Sequence, residues 1–422
     1  MTKQEKNIFR FLIRKPSYVI IYSVILFAIF AYSSRHITHL APLYLDERVY
    51  IKCGIEYIKG VPPLLCNLEH PPLGKYIIGA FISANLGIAF LVLNYFISLY
   101  LFYKIIITIF INKKIAIYTT IITGFDTLFM FTYMHFLLDP PALTFILATT
   151  YLTIKLINSK NYKNRDLAAI AVLAGLSLGT KWQTIYALMG ILVIIIKYLL
   201  HRFTYKATLV KIFFMFIIVF LTYFILFIKD IFLGISEPIY HNIIALSYML
   251  QRHSFSFPLA MIGIMKLLSR LELWRLSSFI ILYVTTTPIG PNITSLIVVN
   301  STLVEPHASS LIRVGIGIPS VLWPLLFPAY MLTVKSRLEK GKFKNIDPIT
   351  IIATTSLFNV LNGPLDWYYL YVIPFLYPIM IIYVLSFSKK GRRLIQAMLF
   401  IQIIQCILFF TGTIPCAWDV YV

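Results

Sequence analysis

Apolar stretches of about 15–25 residues, separated by short polar turns, run along most of the chain, a length suited to crossing a bilayer as a helix. They fall near 16–33, 87–110 and 115–134, then from Pro140-Pro141 to the polar turn at 159–165, and near 167–180. A sixth run leads to His201-Arg202, and others lie near 208–229, 311–334 and 348–362, with a tenth before Lys389 and an eleventh after Arg393. The pattern predicts an all-α polytopic membrane protein with about 11 transmembrane helices. It is read as one domain over 1–422: a first external loop at 34–86, spans two to seven at 87–229, a large external loop at 230–305, and C-terminal spans at 306–422. Two further spans near 256–269 and 276–300 would raise the count to about 13. The second of these would contain Thr285-Thr286-Thr287-Pro288-Ile289-Gly290-Pro291-Asn292, a poor sequence for hydrocarbon, so the loop is preferred. Within it, Phe257 to Trp274 would be an amphipathic interfacial helix.

The first loop breaks the apolar pattern. Asp46 to Lys59 is predicted as a short amphipathic helix, with Gly60 just past its end and Pro62-Pro63 preventing continuation. Lys75 to about Asn85 is predicted as a second external interfacial helix. Of 16 acidic residues in the chain, Asp46, Glu47, Glu56 and Glu69 lie in this one segment. Carboxylates collected between oily spans mark a place for chemistry.

The net charge of +21 raises the question of nucleic acid. The basic residues sit instead in short runs between apolar segments, the signature of membrane orientation, so no nucleic-acid partner is expected. Lys3, Lys6, Arg10, Arg14 and Lys15 place the N-terminus in the cytoplasm, before a retained first span. Asp46, Glu47, Glu69, Asp139, Asp230, Glu237, Glu305, Asp366 and Asp419 then all fall on the external or lumenal face. The four cysteines are too few for a disulfide scaffold. Cys53 and Cys66 share the external loop and are either a disulfide or two thiols.

Each charged residue also has a plain structural reading. Asp46 can cap its helix, with Glu47 favouring the same end through the dipole. Lys75 can be an interfacial lysine reaching to headgroups, or a cation that joins a lipid phosphate at a helix start. Asp139 can cap the fourth span, and Lys181-Trp182 can anchor the outer end of the fifth. Asp126 lies deep in span three and requires a hydrogen-bonded partner. No histidine pair has metal-ligand spacing, and no phosphate-cradling glycine loop, Ser-His-Asp set or Cys-x-x-Cys occurs.

Asp46-Glu47 followed by His70-Pro71-Pro72-Leu73-Gly74-Lys75 resembles the protein O-mannosyltransferase family, multi-span glycosyltransferases of the C superfold. Leu137-Leu138-Asp139 is similar to its Leu-Leu-Asp motif. The segment from Gly175 to Lys181-Trp182 resembles its Gly-rich span, and Tyr368-Tyr369 with Pro374 resembles a late Tyr-Tyr-x-x-x-Pro segment. The similarity covers about residues 40–200 well and the remainder loosely. Met134-His135 stands where the family carries an arginine before Leu-Leu-Asp, no clear Trp-x-Trp-Pro follows, the soluble sugar-binding insert is absent, and Asp366 stands where an arginine is expected. The resemblance implies an inverting transfer of a sugar, mannose by preference, from a dolichyl or polyprenyl phosphate to a protein Ser/Thr hydroxyl. A lipid or glycan acceptor is the alternative within enzymes, and a transporter or flippase the alternative outside them. The expected roles are Asp46 as general base with Glu47 positioning acceptor or sugar, and Lys75, Lys181 and Arg313 on the donor phosphate. Asp139, His70 and Trp182 would position sugar or acceptor. A divalent cation can assist, without visible ligands. The partners expected are the polyprenyl-phosphate sugar, the acceptor and membrane lipids. Glycan at Asn292-Ile293-Thr294 or Asn300-Ser301-Thr302 would mark the large loop as external.

Overall fold

The computed structural model describes residues 23–25, 27–29, 45–67, 69–110, 112–159, 163–234, 236–243, 377–378, 381 and 391–410. All regular structure among them is helical, as expected of an all-α membrane protein. The segments 256–300, spans eight and nine, Arg313, the Tyr368–Pro374 segment and the two sequons lie outside the described residues.

The first loop forms α1 (Leu45–Ile58), a 3-10 turn (Pro63–Leu65) and α2 (Leu73–Ser83). Gly60 follows α1 with φ +107°, a conformation that glycine adopts without strain. Then come α3 (Gly87–Phe110), α4 (Lys113–Gly124), α5 (Thr127–Tyr133), α6 (Asp139–Asn158), α7 (Asn164–Thr180), α8 (Thr184–Arg202) and α9 (Tyr205–Phe224). A 3-10 turn (Ile225–Phe227) joins α9 to the short α10 (Ile228–Ile231), and α11 (Gly391–Phe410) completes the described part. Among the described residues, four helical stretches are long and apolar enough to cross a membrane: Gly87–Thr108, Asp139–Asn158, Thr184–Arg202 and Tyr205–Ile231.

The expected third span at 115–134 is two helices, not one. The break falls at Phe125-Asp126, where the Asp126 carboxylate accepts from Phe129 N (3.0 Å) and so caps α5. Its other oxygen accepts from Tyr377 Oη at 2.7 Å, which supplies the partner the sequence demanded. Gln402 Nε2 of α11 donates to the Phe125 carbonyl at 2.8 Å, satisfying backbone that the break exposes.

Helices α6 to α9 run antiparallel in order, and α6, 20 residues long, spans about 30 Å. Their basic turns meet at one end: Arg202 Nη2 donates to Ser159 O (2.9 Å) and Lys211 Nζ to Asn164 Oδ1 (3.1 Å). The opposite end carries Asp139, Lys181 and Asp230. The core at this end is aromatic, with Tyr95, Phe129 and Tyr133 mutually packed and fully buried. A second apolar cluster, including Leu167, Ile195 and Leu199, joins α6, α7, α8 and α9 toward the basic end.

Candidate active site

The site is assembled from the first loop inward. Helices α1 and α2 cross at Gly54 and Gly79 so closely that a Cβ on either would overlap the other's backbone. A disulfide joins Cys53 to Cys66, with Cα atoms 5.6 Å apart, and ties α1 to the turn before the His-Pro-Pro motif. The Tyr57 hydroxyl donates to the Cys66 carbonyl inside the same loop. Burial drives that phenol far above the ordinary tyrosine range.

Lys75 occupies the centre of this loop and is fully buried. Its Nζ donates to His70 O (2.8 Å), Asn67 O (2.8 Å) and Asn67 Oδ1 (3.0 Å), and stands 5.5 Å from the Tyr57 ring centroid. Lysine is thus not at the headgroup surface; it is the hub on which the motif folds. Asn67 takes φ 56° to present both oxygens. Burial lowers the Lys75 pKa from 10.5 to about 7, with Glu69 and Asp230 opposing the shift.

The short α10, just beyond α9, closes the loop from the other side. Asp230, expected just beyond span seven, is fully buried, and its Oδ1 accepts from Leu64 N at 3.0 Å. Lys229 Nζ donates to the Tyr57 carbonyl and lies 5.4 Å from the Tyr76 ring centroid.

The two acidic residues of α1 part company. Asp46 is exposed in the first turn, whereas Glu47 is fully buried. Glu47 Oε1 accepts from Phe136 N (2.9 Å), and Oε2 lies 3.1 Å from His135 Nδ1. Both partners belong to the link between α5 and α6. Three residues beyond Phe136, Asp139 sits at the first position of α6, with Leu138 as its N-cap. The Asp139 side chain does not cap the helix. It receives Lys181 Nζ on both oxygens, at 2.7 and 2.6 Å, in a pair that is almost wholly buried. Lys181 is therefore no interfacial anchor.

Glycine spacing lets these parts meet. A Cβ on Gly74 would press on Leu138 and Thr180, and one on Gly179 would overlap Leu226 and touch Leu73. The His-Pro-Pro helix thus packs against both the Leu-Leu-Asp link and the Gly-rich helix α7. The Trp182 ring packs 5.6 Å from Tyr223, and the His70 ring meets Tyr50 edge-on at 5.8 Å. The structure therefore gathers Glu47, His70, Lys75, Asp139, Lys181 and Trp182 at one end of the bundle, with Asp46 at the rim. Asn67, Tyr57 and Lys229 are additions that no local motif signalled, while His135 and Asp230 were visible in the sequence but without these partners.

Among the described residues, no group of three or more His, Cys, Asp or Glu side chains is placed to hold a metal ion.

No known family profile and no curated protein sequence matches the chain. Solved structures share its fold, among them two membrane proteins. One is ArnT from Cupriavidus metallidurans bound to undecaprenyl phosphate, with TM-score 0.52, 11% identity, and coverage of 90% of this chain and 62% of that one. The other is the archaeal oligosaccharyltransferase AglB from Archaeoglobus fulgidus, in complex with an inhibitory peptide and a dolichol-phosphate. It gives TM-score 0.51, 11% identity, and coverage of 94% of this chain and 56% of that one. The chain thus spans about six-tenths of the length of these neighbours and shares their fold.

Proposed function

We propose that the protein is a membrane glycosyltransferase that moves a sugar from a polyprenyl or dolichyl phosphate to an acceptor hydroxyl on the external or lumenal face. One observation carries the reading: motifs spread over more than a hundred residues of chain, Asp46-Glu47, His70–Lys75, Leu137–Asp139 and Lys181-Trp182, converge at one end of the helices. Two neighbours of the same fold that bind a polyprenyl or dolichol phosphate support the donor class. The Cys53–Cys66 disulfide supports an oxidising compartment on the side of the site.

The chemistry is an inverting displacement at the anomeric carbon. The acceptor oxygen bonds to that carbon as the bond to the donor phosphate oxygen breaks, and the polyprenyl phosphate leaves with the electron pair. The acceptor proton passes to a carboxylate, and exposed Asp46 is the base. The departing phosphate needs positive charge more than an acid. Lys181 supplies it from the buried pair with Asp139, Arg313 is a further candidate, and Lys75 contributes as the charge at the start of α2. All three Lys75 N–H groups already serve the loop, so a phosphate binding there would displace one of its carbonyl partners.

Mannose as the sugar and protein Ser/Thr as the acceptor are the finer reading, resting on the motif resemblance. Purified protein in detergent, given labelled polyprenyl-phosphate sugars with peptide or lipid acceptors, tests it. Label on a peptide hydroxyl is expected. Label on lipid alone moves the acceptor to the alternative, and no label on any acceptor overturns the enzyme.

A further inference from the structure

Glu47 is fully buried from solvent, and it sits beside the proposed base. What holds its charge therefore matters to the reaction. Oε1 takes the Phe136 amide at 2.9 Å and Oε2 the His135 ring at 3.1 Å. His135 is itself only 4% exposed. The link carrying both donors is short. It leaves α5 at Tyr133 and enters α6 at Asp139, whose carboxylate holds Lys181. One covalent segment therefore connects the Glu47 contact to the Asp139–Lys181 pair, and neighbouring residues of α1 carry Glu47 and Asp46.

We propose that His135 is a positioning residue for the transfer, acting through Glu47. This inference rests on the transferase reading above. Nδ1–H is the donor that the buried carboxylate requires, and the tautomer is set by that bond. Together, His135 and Phe136 N fix the first turn of α1 against the link. That contact sets where Asp46 stands relative to Lys181, and so where the acceptor proton leaves relative to the departing phosphate. Without His135, a buried carboxylate loses a partner and the turn is free to shift. A misplacement of about 1 Å in such an arrangement costs on the order of a hundredfold in rate.

The test is a set of variants assayed for transfer from the labelled lipid donor. His135→Leu removes the donor and is expected to lower kcat by about ten- to a hundredfold, with donor KM within about twofold. His135→Asn places an amide N–H near the Nδ1 position and is expected to recover most of that loss. In a Glu47→Gln background, His135→Leu is expected to add less than about threefold, because the path runs through Glu47. Unchanged kcat in His135→Leu, no recovery in His135→Asn, or a full additional loss in the double variant each overturns the proposal. If the wild type itself transfers nothing, the transferase reading fails. The contact is then judged from the same cycle in Tm, where additive shifts for Glu47→Gln and His135→Leu overturn it and sub-additive shifts retain it. Should His135→Leu fail to fold, His135→Asn against Glu47→Gln completes either cycle.

Discussion

At the scale of single residues, burial separates neighbours that look equivalent in the chain. Asp46 and Glu47 are adjacent acids, yet one faces solvent and the other spends both oxygens on the α5–α6 link. The exposed one lies at the rim, where an acceptor would approach. Asp46→Asn is therefore expected to lower transfer more than about a hundredfold while Tm stays within a few degrees, checked by product assay and thermal unfolding in detergent. The Asp139–Lys181 pair behaves differently. Removing one partner strands a buried charge, so Lys181→Met should cost about 3–5 kcal/mol, and Asp139→Leu with Lys181→Met much less. A double variant as unstable as the single one would contradict this. Lys75 adds a pH dependence. Its folded pKa of about 7 lies below the ordinary 10.5, so between these values the unfolded chain holds a proton that the folded chain has released. Stability attributable to Lys75 therefore rises with pH across that window and is lowest below about 7. Comparing Tm of wild type and Lys75→Met at pH 7 and 9 checks the sign: the rise should shrink in the variant.

At the scale of elements, the α1–α2 crossing depends on two glycines that no charge pattern singles out. Backbone contact at Gly54 and Gly79 leaves nothing flexible to yield to a methyl group. Gly79→Ala should force the helices apart, cost about 1–3 kcal/mol or more, and break the Lys75 cage that α2 supports. Thermal unfolding and loss of transfer measure this, and a Tm equal to wild type would show that the crossing has slack. Gly60 is a milder case. Its Cβ would meet open space, so Gly60→Ala carries only the cost of φ +107°, about 1–2 kcal/mol.

At the scale of the whole molecule, helix order sorts charge to two ends. Asp139, Lys181 and Asp230 lie at one end of α6–α9, and Ser159, Asn164, Arg202 and Lys211 at the other. By the positive-inside rule, the second end is expected to face the cytoplasm. After reduction of sealed, right-side-out vesicles, a membrane-impermeant thiol reagent should therefore label Cys66, the less buried half of the Cys53–Cys66 disulfide, from outside. Labelling only after permeabilisation would invert the topology and remove the site from the external face.

Much of the path was legible in the chain because hydrophobic length is a local property. A bilayer demands long apolar helices wherever the chain crosses, and short polar turns between them show in the sequence directly. The first-loop helices, Gly60 as a helix stop and the two prolines opening α6 were readable on the same terms. Asp126 could be recognised as needing a partner, since a buried carboxylate must have one. Its partner could not be named, because Tyr377 stands 251 positions away. Pairings of this kind belonged to the tertiary structure. It alone decided that Lys75 and Lys181 are buried rather than interfacial, that Asp139 holds a lysine rather than a helix end, and that Glu47 meets His135. Burial and partnership depend on which distant segments arrive at one place, and no local pattern encodes that arrival.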